Sequence, residues 1–236
     1  MMVSRVTSFS FFALVFAIFS FNDNITCISV LINTLVIAAT DRLAVPFTAC
    51  YRISNMMKKL PIQKAFTLLE PGPVVLVTTA DGGKQNIMTL SWTMVMDFTP
   101  RFAFMTGPWN HSYKALTYTG ECVIAIPAID LSKKAVQIGA CSGAKTDKFK
   151  KFKLTPMEAE KVSAPLIKEC YANIECRVID HIKKHNIFIL DGLAAWVDKN
   201  RAEKRCFHAV GDGHFIADGK VINHCRIMLS KLPKVV

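Results

Sequence analysis

Residues 171–179, YANIECRVI, constrain the fold of this chain more than any other segment, because their apolar and polar side chains alternate. The more apolar face carries Ala172, Ile174, Cys176 and Val178, and the other carries Tyr171, Asn173, Glu175 and Arg177. A period of two places successive side chains on opposite sides of a strand, whereas a helix has a period of about 3.6. The pattern therefore predicts a half-buried β-strand.

Further strands are predicted on both sides of this segment. Residues 73–79, PVVLVTT, and residues 86–92, NIMTLSW, flank the turn sequence Asp81-Gly82-Gly83 and predict a β-hairpin. Three more strands are predicted at residues 101–106, 122–126 and 187–197, and the last of these is expected to bend at Gly192.

Helices are predicted at few places between these strands. Asp130 is a suitable N-cap for a helix that buries Leu131, Ala135 and Ile138, and another short helix is expected at residues 147–152. Several strands without a repeating strand–helix rhythm predict an antiparallel barrel rather than a doubly wound sheet. The chain has no G-x-G-x-x-G segment and no Walker loop, so a nucleotide would be held in another way.

The N-terminal extension, residues 1–55, differs in composition from the rest of the chain. It contains two apolar runs, residues 8–21 and 25–39, and each is shorter than the roughly 20 residues of a membrane-spanning helix. Three hypotheses account for it: a start site assigned too far upstream, a secretory signal, or a membrane anchor. We favour a start at Met56 or Met57, because the sequence then becomes typical of a globular domain, residues 56–236.

Charge and cysteine usage narrow the class of protein. Lysine and arginine number 29 against 18 aspartates and glutamates, and the net charge of +11 favours anionic partners. The eight cysteines form no C-x-x-C pair, which argues against a zinc ribbon or a thioredoxin-type motif, and no histidine spacing suits a metal site. Several cysteines occupy apolar strand positions, so a reducing, cytoplasmic compartment is predicted.

Two segments carry side chains suited to a polar, planar ligand. Thr89 and Ser91 offer hydroxyls to carbonyl or phosphate oxygens, and the indole of Trp92 can cover a ring. Residues 107–114, GPWNHSYK, predict a turn that opens a helix. Asn110 or Ser112 could cap that helix, and its free N–H groups would suit an anion.

A third segment, residues 141–153, CSGAKTDKFKKFK, concentrates five lysines. Phe149 and Phe152 within it indicate that one side is buried, so at most two lysines point inward. These could pair with a phosphate, but the run alone does not support nucleic-acid binding.

Taken in this order, residues 65–220 resemble the flavin reductase-like family, the FMN-binding split-barrel proteins that include flavoredoxin. The motifs that carry the resemblance are NIMTLSW, GPWNHSYKAL, SGAKTDKF followed by LTP, and APLIKEC. The resemblance implies a mainly β fold, an antiparallel Greek-key split β-barrel with a few flanking helices. It does not extend to residues 1–55.

The resemblance also implies which residues contact the flavin. They lie at the end of the second hairpin strand, in the turn before the helix, in and after the loop at residue 142, and at two histidines: Thr89, Leu90, Ser91, Trp92, Asn110, His111, Ser112, Ser142, Gly143, Lys148, His185 and His208. Many relatives place Arg or Lys where this chain has Gly107 and Pro108. Lys148 is therefore expected to supply the charge for the flavin phosphate.

The function implied by the resemblance is that of an FMN-binding oxidoreductase, an NAD(P)H:flavin oxidoreductase in which NADH or NADPH reduces the flavin and an acceptor receives the electrons. The alternative is a flavin-binding electron carrier, served by a redox protein, without NAD(P)H turnover of its own. The electron chemistry belongs to the cofactor in both cases, so no catalytic side chain is expected. The family implies a homodimer with FMN at the subunit interface. No nucleic-acid partner is expected, and membrane association is expected only if residues 1–55 belong to the natural protein.

Overall fold

The computed structural model describes residues 57–231. The hypotheses on the N-terminal extension and on a start at Met56 lie outside the described residues. Within residues 57–231, no helix is long and apolar enough to span a membrane.

β-Strands form the framework of the described chain. They are β1 (Lys58–Leu60), β2 (Val75–Asp81), β3 (Lys84–Leu90), β4 (Thr93–Val95), β5 (Arg101–Met105), β6 (Glu121–Ile126), β7 (Pro156–Met157), β8 (Leu166–Ile167), β9 (Ala172–Ile182), β10 (Ile187–Val197), β11 (Phe207–Gly211) and β12 (His214–Ala217). The predicted hairpin is β2–β3, and its connecting Gly82 and Gly83 have φ angles of 53° and 78°, which glycine adopts without steric cost.

The main sheet is antiparallel and curled. Its strands follow the order β3-β2-β6-β9-β10-β5-β4, with β1 paired to β10. Strands β3 and β4 lie at opposite ends of this order, yet only Ser91 and Trp92 separate them in the chain. The two edges of the sheet must therefore approach each other at this point, which gives a half-closed barrel. The predicted antiparallel split barrel is confirmed.

The inner and outer faces of the curled sheet bury separate sets of side chains. The inner cluster includes Val75, Val77, Phe102, Phe104, Ile124, Ile174, Phe188 and Leu190. Two clusters cover the outer face, one around Leu76, Ile87, Ala135, Ile138 and Phe149, and the other around Val123, Met157, Leu166, Ala194 and Trp196.

The described helices are short, and the first four of them pack against the barrel. They are α1 (Phe66–Leu69), α2 (Ser112–Thr119), α3 (Ser132–Gly139), α4 (Lys148–Phe152) and α5 (Cys225–Met228), with single 3₁₀ turns at Ile62–Lys64, Ile129–Leu131 and Lys183–His185. The prediction that Asp130 caps α3 is wrong, because Leu131 precedes the helix and the Asp130 carboxylate pairs with Arg201 at 2.5 Å. The buried Ala135 and Ile138 confirm the predicted apolar face of α3.

Strand β9 departs from the predicted half-buried pattern. Its inner face is buried as expected, but Asn173 and Glu175 on the outer face are also fully buried. The Asn173 side chain accepts a hydrogen bond from the Ile167 N–H at 2.9 Å, and Glu175 binds backbone and indole N–H groups. Asn173 and Glu175 therefore hold the covering loop, whereas Arg177 of the same face is exposed as predicted.

Candidate functional site

A hydrogen-bonded cluster joins the turn end of the β2–β3 hairpin to the start of α2. The Asn86 Nδ2 donates to Ser112 Oγ at 2.8 Å, and the Thr79 hydroxyl donates to the same oxygen at 3.2 Å. Ser112 is 1% exposed, so it is fixed in place and its hydroxyl belongs to this cluster. The prediction that Ser112 or Asn110 caps α2 is wrong: His111 precedes the helix, and no side chain caps it.

Gly143 brings a second loop against the same cluster. A β-carbon at this position would lie 2.2 Å from Asn86 Oδ1, so a side chain here would displace Asn86. Ser142 is exposed, and its hydroxyl accepts a hydrogen bond from the Ala144 N–H at 3.2 Å. The loop at residues 141–147 can thus approach strand β3 closely only because residue 143 is glycine.

The turn at residues 106–111 borders this cluster on the other side. Asn110 Nδ2 donates to the Thr106 hydroxyl at 2.9 Å, and the Asn110 carbonyl accepts from the Tyr113 N–H at 3.0 Å. The Thr106 N–H donates in turn to the Asn186 carbonyl at 3.1 Å. The segments that begin at Asn86, Thr106, Ser142 and Lys183 therefore meet at one end of the barrel.

Lys148 is buried, with 5% of the residue exposed. Its Nζ donates to the Ile87 carbonyl at 2.8 Å and to the Ile138 carbonyl at 2.9 Å. Burial lowers the pKa of Lys148, and the Cys141 thiol opposes this shift. The lysine holds the C-terminal end of α3 against edge strand β3, next to Asn86.

Residues 68–214 match the family model described as flavin reductase like domain. The chain belongs to this family. An uncharacterized protein of Archaeoglobus fulgidus is 38% identical over 109 residues, which cover 45% of this chain and 62% of that protein. The chain thus spans less than two thirds of that relative's length.

Two solved structures extend the comparison. The FMN-binding domain of a flavin reductases-like enzyme from Shewanella baltica OS155 superimposes with a TM-score of 0.67 at 24% identity, and the match covers 71% of this chain and 96% of that one. Flavoredoxin of Desulfovibrio vulgaris (Miyazaki F) gives a TM-score of 0.59 at 28% identity, with 64% and 89% covered. Both similarities agree with the split-barrel fold described above.

In this flavin reductase-like domain, the strand-end residues occupy unlike environments. The Thr89 hydroxyl donates to the Ala135 carbonyl of α3 at 2.6 Å, and Leu90 is part of the inner core. Ser91 is half-buried, and Trp92 is 64% exposed. Of these four residues, Ser91 and Trp92 lie between the two sheet edges, Thr89 is half-buried against α3, and only Leu90 is packed inside the barrel.

The three histidines predicted to contact the flavin lie in two different parts of the structure. His111 and His185 are exposed near the turn at residues 106–111, His185 in the 3₁₀ turn that precedes Asn186. His208 lies elsewhere: its Nδ1 is 3.2 Å from the Gly72 carbonyl and its Nε2 is 2.7 Å from Asp218 Oδ1. The structure thus places His208 in a contact that holds the β11–β12 hairpin, apart from the Asn86 cluster.

Sequence reasoning missed Asn86 as the centre of this site. Asparagine is disfavoured in strands, so its presence in the predicted strand at residues 86–92 could have indicated a functional role. Thr79 and Thr106 carried no such signal, because threonine is common in strands. Within residues 57–231, no cluster of three or more His, Cys, Asp or Glu side chains is suited to a metal ion.

Proposed function

We propose that this protein is an FMN-binding oxidoreductase whose flavin lies against the Asn86 cluster. One observation carries the proposal: Asn86, the segment with Asn110 and Ser112, and Gly143 come together from three parts of the chain at one end of the barrel. Membership of the flavin reductase-like family and the 28% identity to a flavoredoxin support the same assignment.

The groups present there suit FMN chemically. Hydroxyl, amide and backbone N–H groups can donate to the flavin carbonyls and to the ribityl and phosphate oxygens. Beyond the opposite end of β3, the exposed Trp92 indole offers an apolar face to a flavin ring that extends along the strand. Two of the three N–H bonds of the Lys148 ammonium are engaged by carbonyls, so its phosphate contact would use the third. Lys145, exposed in the adjoining loop, is a second source of positive charge for the phosphate.

FMN, when bound, supplies the capacity to accept a hydride and to release electrons singly or in pairs. The protein side chains then bind and orient the cofactor, and the exposed site leaves access for a donor. We propose NADH or NADPH as the donor and an NAD(P)H:flavin oxidoreductase activity. A flavin-binding electron carrier served by a redox protein is the second candidate, favoured by the similarity to flavoredoxin.

We further propose that two copies of the chain assemble, with FMN at their interface. The exposed Trp92 lies at the seam between the two sheet edges, where a second copy could cover the flavin. The six cysteines at described positions are all free, which supports a reducing, cytoplasmic compartment.

Flavin titration of the full-length chain tests the assignment. We expect the purified protein to bind FMN near one per chain, and Asn86→Ala to raise the FMN Kd about tenfold, which corresponds to about 1.4 kcal/mol. Gln85→Ala on the same strand is the matched control, because Gln85 is exposed and takes no part in the cluster. A folded protein that binds no FMN would refute the proposal.

Steady-state oxidation of NADH and NADPH by the FMN-loaded protein separates the two candidates. Turnover with either nucleotide supports the reductase. A protein that binds FMN but oxidises neither nucleotide, and takes electrons from a reduced redox protein, is the electron carrier.

A further inference from the structure

The C-terminal arm, residues 219–231, exposes apolar side chains along its length. Val221 is 89% exposed, Ile222 74%, Ile227 79% and Leu229 69%. Arm residues 219–231 are all exposed, although the segment includes the short helix α5. A cluster of exposed large apolar side chains on a folded protein marks a surface that binds another molecule.

The base of the arm is fixed to the barrel at a defined point. Strands β11 and β12 pair only with each other among the described strands. The His208 ring bridges the Gly72 carbonyl and the Asp218 carboxylate, and Asp218 also accepts a hydrogen bond from the Cys206 N–H at 2.8 Å. The arm therefore leaves the barrel beside Gly72.

A groove of about 430 Å³ lies between α1 and edge strand β4. Its lining is largely apolar and includes Phe66, Leu69, Gly72, Met94, Met96 and Phe98, with the acidic side chains Glu70 and Asp97. Met94, Met96 and Phe98 are 55%, 42% and 53% exposed. Methionine side chains adapt readily to an incoming apolar surface, so this groove suits an apolar segment.

The charges of the arm and the groove are complementary. The arm carries Lys220, Arg226 and Lys231 and no acidic residue, whereas the groove carries Glu70 and Asp97. Two arms would repel each other, so an arm is not expected to pair with a second arm. An arm and a groove combine apolar surface with opposite charge, and every copy of the chain possesses both.

We propose that the C-terminal arm of one copy docks in the α1–β4 groove of a second copy. Residues 227–229 enter the groove, and the Arg226 guanidinium lies near Glu70. The exchange is reciprocal, so a two-fold axis closes the assembly at two chains and buries both arms. The inference rests on the two-copy assembly of the proposed function and goes beyond it by assigning the contact.

Disulfide crosslinking of the full-length chain tests this contact. Cys225 is exposed on the arm, and Met94→Cys places a second thiol in the groove. Diamide takes up the two thiol hydrogens as the disulfide forms. We expect a band of two chain masses on a non-reducing gel, absent when Cys225→Ser is added to Met94→Cys.

Tyr118→Cys is the position control, because Tyr118 is 80% exposed on α2 and outside the groove. It should give no dimer band through Cys225. Met96→Cys provides an independent second position in the groove. Peptide mapping that finds the disulfide between Cys225 and the introduced thiol in the band of one chain mass would show that the arm covers its own groove and would overturn the proposal.

Charge reversal gives a second, independent test. Light scattering should show a dimer of wild-type chains, with a dissociation constant raised about two- to fivefold by Glu70→Lys or by Arg226→Glu. The two changes combined should restore the wild-type value. A monomeric wild type, or two effects that simply add, overturns the arm–groove contact. FMN titration of the same samples shows separately whether the proposed function holds.

Discussion

The two buried charged side chains among residues 57–231, Lys148 and Glu175, lie at different places between the outer sheet face and the segments that cover it. Lys148 is the first residue of α4, and its ammonium group binds two carbonyl oxygens, one from edge strand β3 and one from the last turn of α3. A sheet edge and the last turn of a helix both leave backbone carbonyls without a hydrogen-bond donor from the strand or helix itself. A single ammonium group satisfies both of them.

Glu175, in contrast, binds unpaired N–H donors. Its carboxylate accepts hydrogen bonds from the Glu160 N–H at 3.1 Å, the Lys161 N–H at 2.5 Å and the Trp196 indole at 2.6 Å. An irregular loop leaves donors unpaired where it crosses a sheet, and a carboxylate can accept several of them. The comparison shows that the sign of each buried charge matches the unpaired backbone groups around it: a cation binds carbonyls, and a carboxylate binds N–H groups.

The largest predicted effect is at Glu175. Glu175→Gln turns one acceptor into a donor that faces N–H groups, so we expect the free energy of unfolding to fall by about 3–5 kcal/mol. Urea denaturation followed by far-UV circular dichroism measures the loss. Glu160→Gln is the control, since the exposed Glu160 carboxylate makes only surface ion pairs, with Lys59 and Lys161, and its change should shift the midpoint far less. Equal midpoints for the two variants would contradict the role assigned to Glu175.

Substitution of Lys148 should lower the free energy of unfolding less. The variant loses two hydrogen bonds, but it no longer has to bury a positive charge, and the second effect offsets part of the first. Lys148→Met keeps the length of the side chain but leaves two carbonyls without their donor, and we expect a loss of about 2 kcal/mol. FMN affinity is measured on the same samples. Lower affinity with unchanged stability would instead identify Lys148 as a ligand of the flavin phosphate.

The pH dependence of stability distinguishes the two charges further. Burial lowers the pKa of Lys148 in the folded protein, whereas the pKa of a lysine in the unfolded chain is about 10.4. Between these two values the unfolded state holds a proton that the folded state has released, so stability should rise with pH. We expect this alkaline rise in the wild type and its loss in Lys148→Met, measured by thermal unfolding across that range.

The sequence predicted the inner face of the barrel better than the outer face. The hairpin β2–β3 and the bend at Gly192, where the pairing of β10 with β9 shifts register, follow from local pattern and turn chemistry. Asn173 and Glu175 look like solvent-facing residues by the same pattern. Their burial depends on residues 157–167, which cross the sheet over them, and no local period reveals that path.

The candidate site was predictable in part for the same reason. Motif resemblance selected the segments that meet at the barrel end, including Asn110, Ser112 and Gly143. It could not show that Lys148 binds two carbonyls or that His208 binds Asp218, because these contacts depend on tertiary packing across 61 and 10 residues of sequence. Nor did it single out Asn86, whose role arises from contacts with two other segments.

Gly143 tests how tightly the cover near Lys148 fits. In Gly143→Ala the new β-carbon would lie 2.2 Å from Asn86 Oδ1, so the loop or Asn86 must shift. We expect a loss of about 1–2 kcal/mol in unfolding free energy and weaker FMN binding. Ala144→Gly, in the exposed part of the same loop, is the control for loop flexibility. An unchanged FMN Kd for Gly143→Ala would separate the loop from the site.

The smallest predicted effect concerns the partly exposed pair His208–Asp218, which lacks the burial of the two charges above. Burial raises the pKa of Asp218, but hydrogen bonds from His208 and the Cys206 N–H outweigh it and leave the pKa lowered. A lowered carboxyl pKa contributes stability that is present above the unfolded value of about 3.9 and is lost as pH falls through the folded value. Solvent screening limits this contribution to less than about 1 kcal/mol. Thermal unfolding between about pH 5 and pH 3 should therefore show that stability falls slightly more steeply with decreasing pH in the wild type than in Asp218→Asn. The same pH dependence in both proteins would show that the His208–Asp218 pair does not stabilise the β11–β12 hairpin.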